Sequence, residues 1–282
     1  MTTVICSRLV KKPILNRCRE IGVRLLANFY VFFAAIIWLL SILFVFMYSE
    51  AHADRLIQIE LLIDDLPPVF EGRTIFFISD IHRRKVTRHL LDKLPAPPDY
   101  VVIGGDLTER GVPLFRVREN LRRLTQLAPT YFVWGNHDGD TGKNAIERLL
   151  HDCHVTILDN QTAVIQKGGQ VINFTGVNDA TTRRDRLAEA LATRHADAPT
   201  LLFSHNPSIK KKLKRSMGLS YAICGHTHGG QINLFGLTIK EKGGVKKLDF
   251  GTLIISNGYG TTKLPLRFAA PPDTLYLRLC FA

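Results

Sequence analysis

Between residues 74 and 228, five short apolar runs each stop at a turn carrying a carboxylate, an amide or an imidazole. No other feature restricts the fold as much. Residues 74–78 lead to Asp80 and His82, and residues 100–103 to Gly105 and Asp106. Residues 131–134 lead to Gly135, Asn136, His137 and Asp138. Residues 201–203 lead to His205, and residues 221–224 to Gly225, His226, Thr227 and His228. Apolar runs of this length, bounded by turn signals, read as buried strands. In open α/β sheets the ligand crevice lies beyond the C-terminal strand ends, where these donors fall.

Helical patterns lie between the runs. Leu114, Val117, Leu121, Leu124 and Ala128 recur at three- and four-residue steps, with Arg116, Arg118, Arg122 and Arg123 off that face. Shorter stripes occur at residues 145–150 and 187–191. Strand alternating with helix indicates parallel βαβ units. Residues 162–166 and 171–177, joined through Gly168 and Gly169, read as a hairpin. Residues 231–235, 252–256 and 274–280 read as further strands. The expected fold class is therefore α/β: a four-layer α-β-β-α sandwich of two packed mixed sheets flanked by helices, preceded by one N-terminal transmembrane helix.

The donors form a mixed oxygen and nitrogen set able to hold two divalent cations. A lone histidine or a lone glycine turn has a bland explanation, but an ordered series of this kind does not. Imidazole, carboxylate and amide ligands together suit manganese, iron or zinc, and magnesium less well.

These blocks resemble those of the calcineurin-like metallophosphoesterases. The stretch from Gly225 to Ile232, the block from Gly258 to Arg267 and the Pro271–Thr274 tetrapeptide resemble its small membrane-associated bacterial branch, the YaeI/YkuE-like phosphodiesterases. The resemblance implies that Asp80, His82, Asp106 and His228 hold one metal. Asp106, Asn136, His205 and His226 would hold the second, with Asp106 bridging. It also implies that His137 acts on the leaving oxygen, with Asp138 orienting it. Two departures stand out: Arg83, Arg84 and Lys85 follow the first turn where the branch often has apolar or small residues, and Asp273 replaces a common glutamate. The implied activity is hydrolysis of an anionic phosphoester, of phosphodiesterase or pyrophosphatase type. A UDP-2,3-diacylglucosamine pyrophosphatase of lipid A synthesis is the specific alternative, and a non-catalytic scaffold on the same fold is a third reading. Retention of every ligand position argues against the scaffold.

Residues 25–48 contain no charge. As a helix they reach about 36 Å, enough to cross a hydrocarbon core of about 30 Å. The expected organisation is a basic segment over residues 1–24, a transmembrane helix over 25–48 and the catalytic domain over 49–282. Arg8, Lys11, Lys12, Arg17, Arg19 and Arg24 precede the span against the single acid Glu20. The positive-inside rule puts the N-terminus in the cytoplasm, the span in a bacterial inner membrane and the domain outside. The lipid A alternative would need the opposite orientation. Ala51-His52-Ala53 resembles a signal-peptidase site, but the apolar run is longer than an ordinary signal sequence, which favours an uncleaved anchor.

Net charge is +12, and basic residues cluster at 83–85, 183–184, 210–215 and 240–247. Arg83 and Arg84 directly follow the first donor turn and are candidate substrate-binding residues. Positive charge near a site draws anionic substrates, including lipid-linked ones, or acidic head groups. No aromatic platform or helix-turn-helix supports a nucleic-acid partner. The five cysteines, Cys6, Cys18, Cys153, Cys224 and Cys280, show no paired spacing, so no disulfide framework is expected.

Overall fold

The structure, a computed structural model, describes residues 11–233, 238 and 240–282. A long helix, α1 (Lys11–Ala51), comes first. Within Arg19–Ala51 an 18-residue window has mean hydropathy 2.7, and none of that window is buried. Leu25, Phe32, Trp38 and Phe46 all stand exposed, and by length and composition the helix could cross a membrane. The chain divides into two units, Met1–Met47 and Tyr48–Ala282.

The second unit holds two six-stranded mixed sheets. One is ordered β1 (Leu56–Ile63), β12 (Thr274–Phe281), β2 (Thr74–Ile78), β3 (Tyr100–Ile103), β4 (Thr130–Phe132) and β5 (Thr156–Ile157). The other is ordered β10 (Gly244–Leu248), β11 (Gly251–Ile255), β9 (Tyr221–Cys224), β8 (Thr200–Ser204), β7 (Gln170–Val177) and β6 (Gln161–Lys167). Strands β2 to β5 run parallel, as do β7, β8, β9 and β11. The β6–β7 hairpin is antiparallel around Gly168 and Gly169, both with positive φ, as a tight two-residue turn demands.

The period-two alternation of side chains builds the layers. Ile75 and Phe77 of β2 meet Leu201 and Phe203 of β8 in the core between the sheets. The Phe174 ring packs edge-on against Phe203, with centroids 5.4 Å apart. Phe76 and Ile78 face the other way, onto Leu121 and Leu124 of α2 (Leu114–Thr125) and Ile146 and Leu149 of α3 (Lys143–Asp152). On the far sheet, Leu202 and Ala222 pack beneath Leu187 and Ala190 of α4 (Leu187–Ala192). Helix, sheet, sheet and helix make the four expected layers. Burying side chains the size of these contributes roughly 1.5–3 kcal/mol each.

Three points of the fold differ from the reading of the sequence or add to it. Residues 231–233 form no strand, only an isolated bridge from Ile232 to Phe268, and residues 234–235 lie outside the described residues. The basic run at 240–247 is partly strand β10 at the sheet's edge, where lysines keep other strands away. Strand β1, which turns Ile59, Leu61 and Ile63 to the core between the sheets, is held by parallel pairing along the full length of β12. Cys153, Cys224 and Cys280 are free thiols; the side chains of Cys6 and Cys18 lie outside the described residues.

Candidate metal centre

Five strands, β2, β3, β4, β8 and β9, end at one edge, and the turn after each carries donors. Asp80 (φ 54°), His82 (50°), Asp106 (49°), His226 (69°) and His228 (50°) all lie in the left-handed region. Each such residue costs about 1–3 kcal/mol unless its surroundings hold it, and such strain gathers at functional sites. Close backbone approach holds it here. A Cβ on Gly135 would come within 2.2 Å of Asp106 Oδ1, and one on Gly258 within 2.6 Å of Asp80 Cβ.

The side chains meet in two groups: Asp80, His82 and His228, and Asp106, His205 and His226. In the first, His82 Nε2 lies 3.2 Å from His228 Nε2, and Asp80 Oδ1 lies 3.4 Å from His228 Nε2. In the second, His205 Nε2 lies 3.2 Å from both Asp106 Oδ2 and His226 Nδ1. Asp106 Oδ2 is also 3.7 Å from His82 Nε2, so this one oxygen faces both groups. Asp80 Oδ1 and Asn136 Oδ1 are buried without a hydrogen-bond partner among the described residues. Buried oxygens cost free energy unless something takes their lone pairs. Hard oxygen and borderline imidazole donors at this spacing fit a pair of divalent cations.

Neighbouring groups orient the ligands. Nδ1 of His205 donates to the Gly104 carbonyl at 2.9 Å, leaving the Nε2 lone pair for a cation. Glu109 Oε2 stands 3.0 Å from His82 Nδ1 and also pairs with Arg83. Arg267 is fully buried, and its guanidinium donates to the carbonyls of His228, Asn257, Gly258, Gly260 and Ala270. It thereby ties the His228 turn to the loop lying on Asp80. Asp273 accepts from Ser256 Oγ and the Asn257 amide, bracing that loop from the other side. Sequence reasoning missed Glu109 and gave Arg267 no role. Glu109 stands three residues after Asp106 and carried no signal; Arg267 was visible within the resembling block.

Asp138 does not orient His137. Its carboxylate accepts from the backbone N–H groups of Gly135 (2.8 Å), Asp106 (2.9 Å) and Thr108 (3.2 Å), tying together two donor turns. Asp140 takes the expected role, with Oδ2 3.0 Å from His137 Nδ1. The 3-10 turn Asp138–Thr141 brings Asp140 back beside the ring while Asp138 points inward.

Burial pushes the Asp80 and Asp106 carboxyls up, but the neighbouring imidazoles outweigh it and hold both below the ordinary range. His205 is the counterpart: burial opposes its charge, yet Asp106 and Asp80 carry it up to about 10. Burial lowers His226 to about 4, helped by the charges of His205 and Lys240, and lowers His228 to about 3, helped by His82 and Arg267. Both are thus neutral at pH 7, the form that ligates. Asp138 is pushed up to about 7 by burial and by the Asp106 charge.

Of the two candidate substrate arginines, only Arg83 is open to solvent. The Arg84 side chain is 9% exposed and pairs with Asp54 at 2.6 Å. It also donates to the carbonyls of Ala53 and Tyr259 and lies 3.7 Å above the Tyr259 ring. Its charge is spent within the fold. The 210–215 cluster is also partly neutralised, Lys210 by Glu241 and Lys212 by Asp185.

Known sequences resemble this chain. An uncharacterized Bacillus subtilis protein, YpbG, is 38% identical over 209 residues, covering 73% of this chain and 81% of that protein. Phosphodiesterase YaeI of Escherichia coli is 30% identical over 171 residues, 57% of this chain and 62% of YaeI. A Danio rerio transmembrane protein with metallophosphoesterase domain is 29% identical over 250 residues, 79% of this chain but only 56% of that protein. The profile of calcineurin-like phosphoesterases matches residues 73–230, more than half the chain and every donor turn from Asp80 to His228. The chain belongs to the calcineurin-like phosphoesterase family, metal-dependent hydrolases of phosphoester bonds.

Proposed function

We propose that this chain is a membrane-anchored, dinuclear phosphoesterase of phosphodiesterase or pyrophosphatase type. Asp80, His82, Asp106 and His228 hold one cation, and Asp106, Asn136, His205 and His226 the other, with manganese, iron or zinc as the metals that suit these donors. The observation that carries the reading is Asp106 Oδ2, 3.2 Å from His205 Nε2 and 3.7 Å from His82 Nε2. A carboxylate so placed can span two cations and offset their mutual repulsion.

Two bound divalent cations supply Lewis acidity for phosphoryl oxygens and lower the pKa of water. The chain's own residues do the rest. His137 stands with its ring 5.4 Å from that of His82, and Asp140 holds Nδ1. Nε2 then faces the substrate side and delivers a proton to the departing oxygen. Arg83, paired with Glu109 yet open to solvent, stands at the rim, where an anionic ester enters. The metal-loaded chain is expected to hydrolyse bis(p-nitrophenyl) phosphate. No turnover with manganese, iron or zinc would leave only a scaffold on this fold.

Residues 25–48 form the anchor. The exposed apolar surface of α1 supports this reading, as does the similarity to a relative named as transmembrane. Ala51 is buried, and the carbonyls of His52 and Ala53 accept from Arg84, so the Ala51-His52-Ala53 stretch is part of the folded unit. That favours an uncleaved anchor. The excess of basic residues before the span puts the catalytic unit outside the cytoplasm. A C-terminal alkaline phosphatase fusion should be active there; activity from a cytoplasm-dependent reporter instead would reverse the orientation.

A further inference from the structure

Beside the metal turn, Ala51 and His52 form one wall of an open pocket of about 400 Å³. Arg83, Arg84, Lys85 and Lys263 also line it, and none of its lining residues is acidic. Two of these cations are already matched, Arg83 by Glu109 and Arg84 by Asp54. Lys85 and Lys263 are exposed and make no ion pair among the described residues. The pocket therefore presents two uncompensated ammonium groups, beside an exposed His52.

Its walls are shared with the metal centre. Arg83 to Lys85 follow His82 directly, Arg83 and His82 contact the same Glu109, and the Gly260 amide donates to the Asp80 carbonyl at 2.7 Å. Its rim carries an exposed apolar side chain. Leu264, between Lys263 and Pro265, is 59% exposed. Cations with an apolar tip at their edge are the composition of a surface that sits in lipid head groups. Chain connectivity adds the location: Ala51 and His52 lie within about a helical turn, some 5 Å, of the last residue of the proposed span.

We propose that this pocket receives the phosphate-bearing head group of a membrane phospholipid, and that the ester hydrolysed next to it is carried by such a lipid. This rests on the reading of the chain as an anchored metal-dependent phosphoesterase. Hydrolysis adds one water across a P–O bond: the water oxygen joins phosphorus, and the departing lipid or head-group oxygen takes a proton. Lys85 and Lys263 bind the phosphate of the head group, while Leu264 enters the interfacial layer and sets the depth.

The test uses the full chain, manganese-loaded, in phosphatidylcholine vesicles with or without phosphatidylglycerol. Acetic anhydride labelling read by mass spectrometry should show Lys85 and Lys263 protected by phosphatidylglycerol, and not by the same amount of soluble glycerol 3-phosphate. Equal protection by the soluble phosphate would reassign the pocket to free anions, and no protection by either would remove it. Phosphatidylglycerol should also inhibit bis(p-nitrophenyl) phosphate hydrolysis competitively. The half-inhibiting lipid fraction should rise about thirtyfold in K85A/K263A, the loss expected for two basic residues at an anionic surface. Protection without competition would detach the pocket from the substrate. The labelling needs no turnover, so an inactive protein with protected lysines would sink the hydrolase reading and leave the pocket standing.

Discussion

Replacing Asp138 separates a structural carboxylate from a catalytic one. The side chain is fully buried and accepts three backbone N–H groups, from Gly135, Asp106 and Thr108. Asp138→Ala strands all three donors, each at a cost of about 1–3 kcal/mol. With some relaxation and water entry, about 3–6 kcal/mol should be lost, a large share of the 5–15 kcal/mol typical of a domain. Asp138→Asn keeps one carbonyl oxygen but turns an amide donor toward another donor, and should cost about 1–3 kcal/mol. Urea unfolding followed by fluorescence reads this directly. Trp134 is buried four residues before Asp138, and Trp38, in α1, adds a background common to all variants. Because the carboxylate joins the Asp106 turn to the Gly135 turn, metal content should fall together with stability. The reasoning fails if both variants unfold within about 0.5 kcal/mol of the parent while losing turnover, the signature of a residue that merely orients His137.

Other expectations follow from single contacts. His137→Ala should keep both metals and lose roughly 10²- to 10⁴-fold in turnover; loss of metal by elemental analysis would instead make His137 a ligand. Asp106→Asn should lower occupancy of both cations together, and loss of one alone would contradict the shared oxygen. Glu109→Ala should weaken metal binding roughly 10- to 100-fold, because His82 loses the group beside its Nδ1; calorimetric titration with manganese checks it. His205, raised to about 10 by Asp106 once burial is overcome, is protonated at pH 7 in the metal-free protein. Metal binding must therefore expel that proton, and affinity should climb as pH rises from 6 toward 9. Binding heats that do not change between buffers of different ionisation enthalpy would refute this.

The donor set was legible because its turns follow strands whose apolar runs are plain in one dimension. Asp80, Asp106, His137, His205 and His226 each sit one to five residues past a strand end, so their convergence followed from sheet topology alone. The layers were legible for the same reason: Phe76 and Phe77 alternate, and Val117, Leu121 and Leu124 repeat at helical steps. Three things were not. The partners of His137 and Asp138 depend on the direction in which one 3-10 turn points each carboxylate, and periodicity carries no such information. The fate of Arg84 depended on Asp54 and Tyr259, the latter 175 residues away and brought alongside only by folding. The uncompensated charge of Lys85 and Lys263 appeared only once every neighbouring ion pair was known. Sequence alone determined which atoms are available to bind metals and along which strand edge they gather. Tertiary structure decided which charges are neutralised and which remain for a ligand, because ion pairs form between residues that are neighbours in space and strangers along the chain.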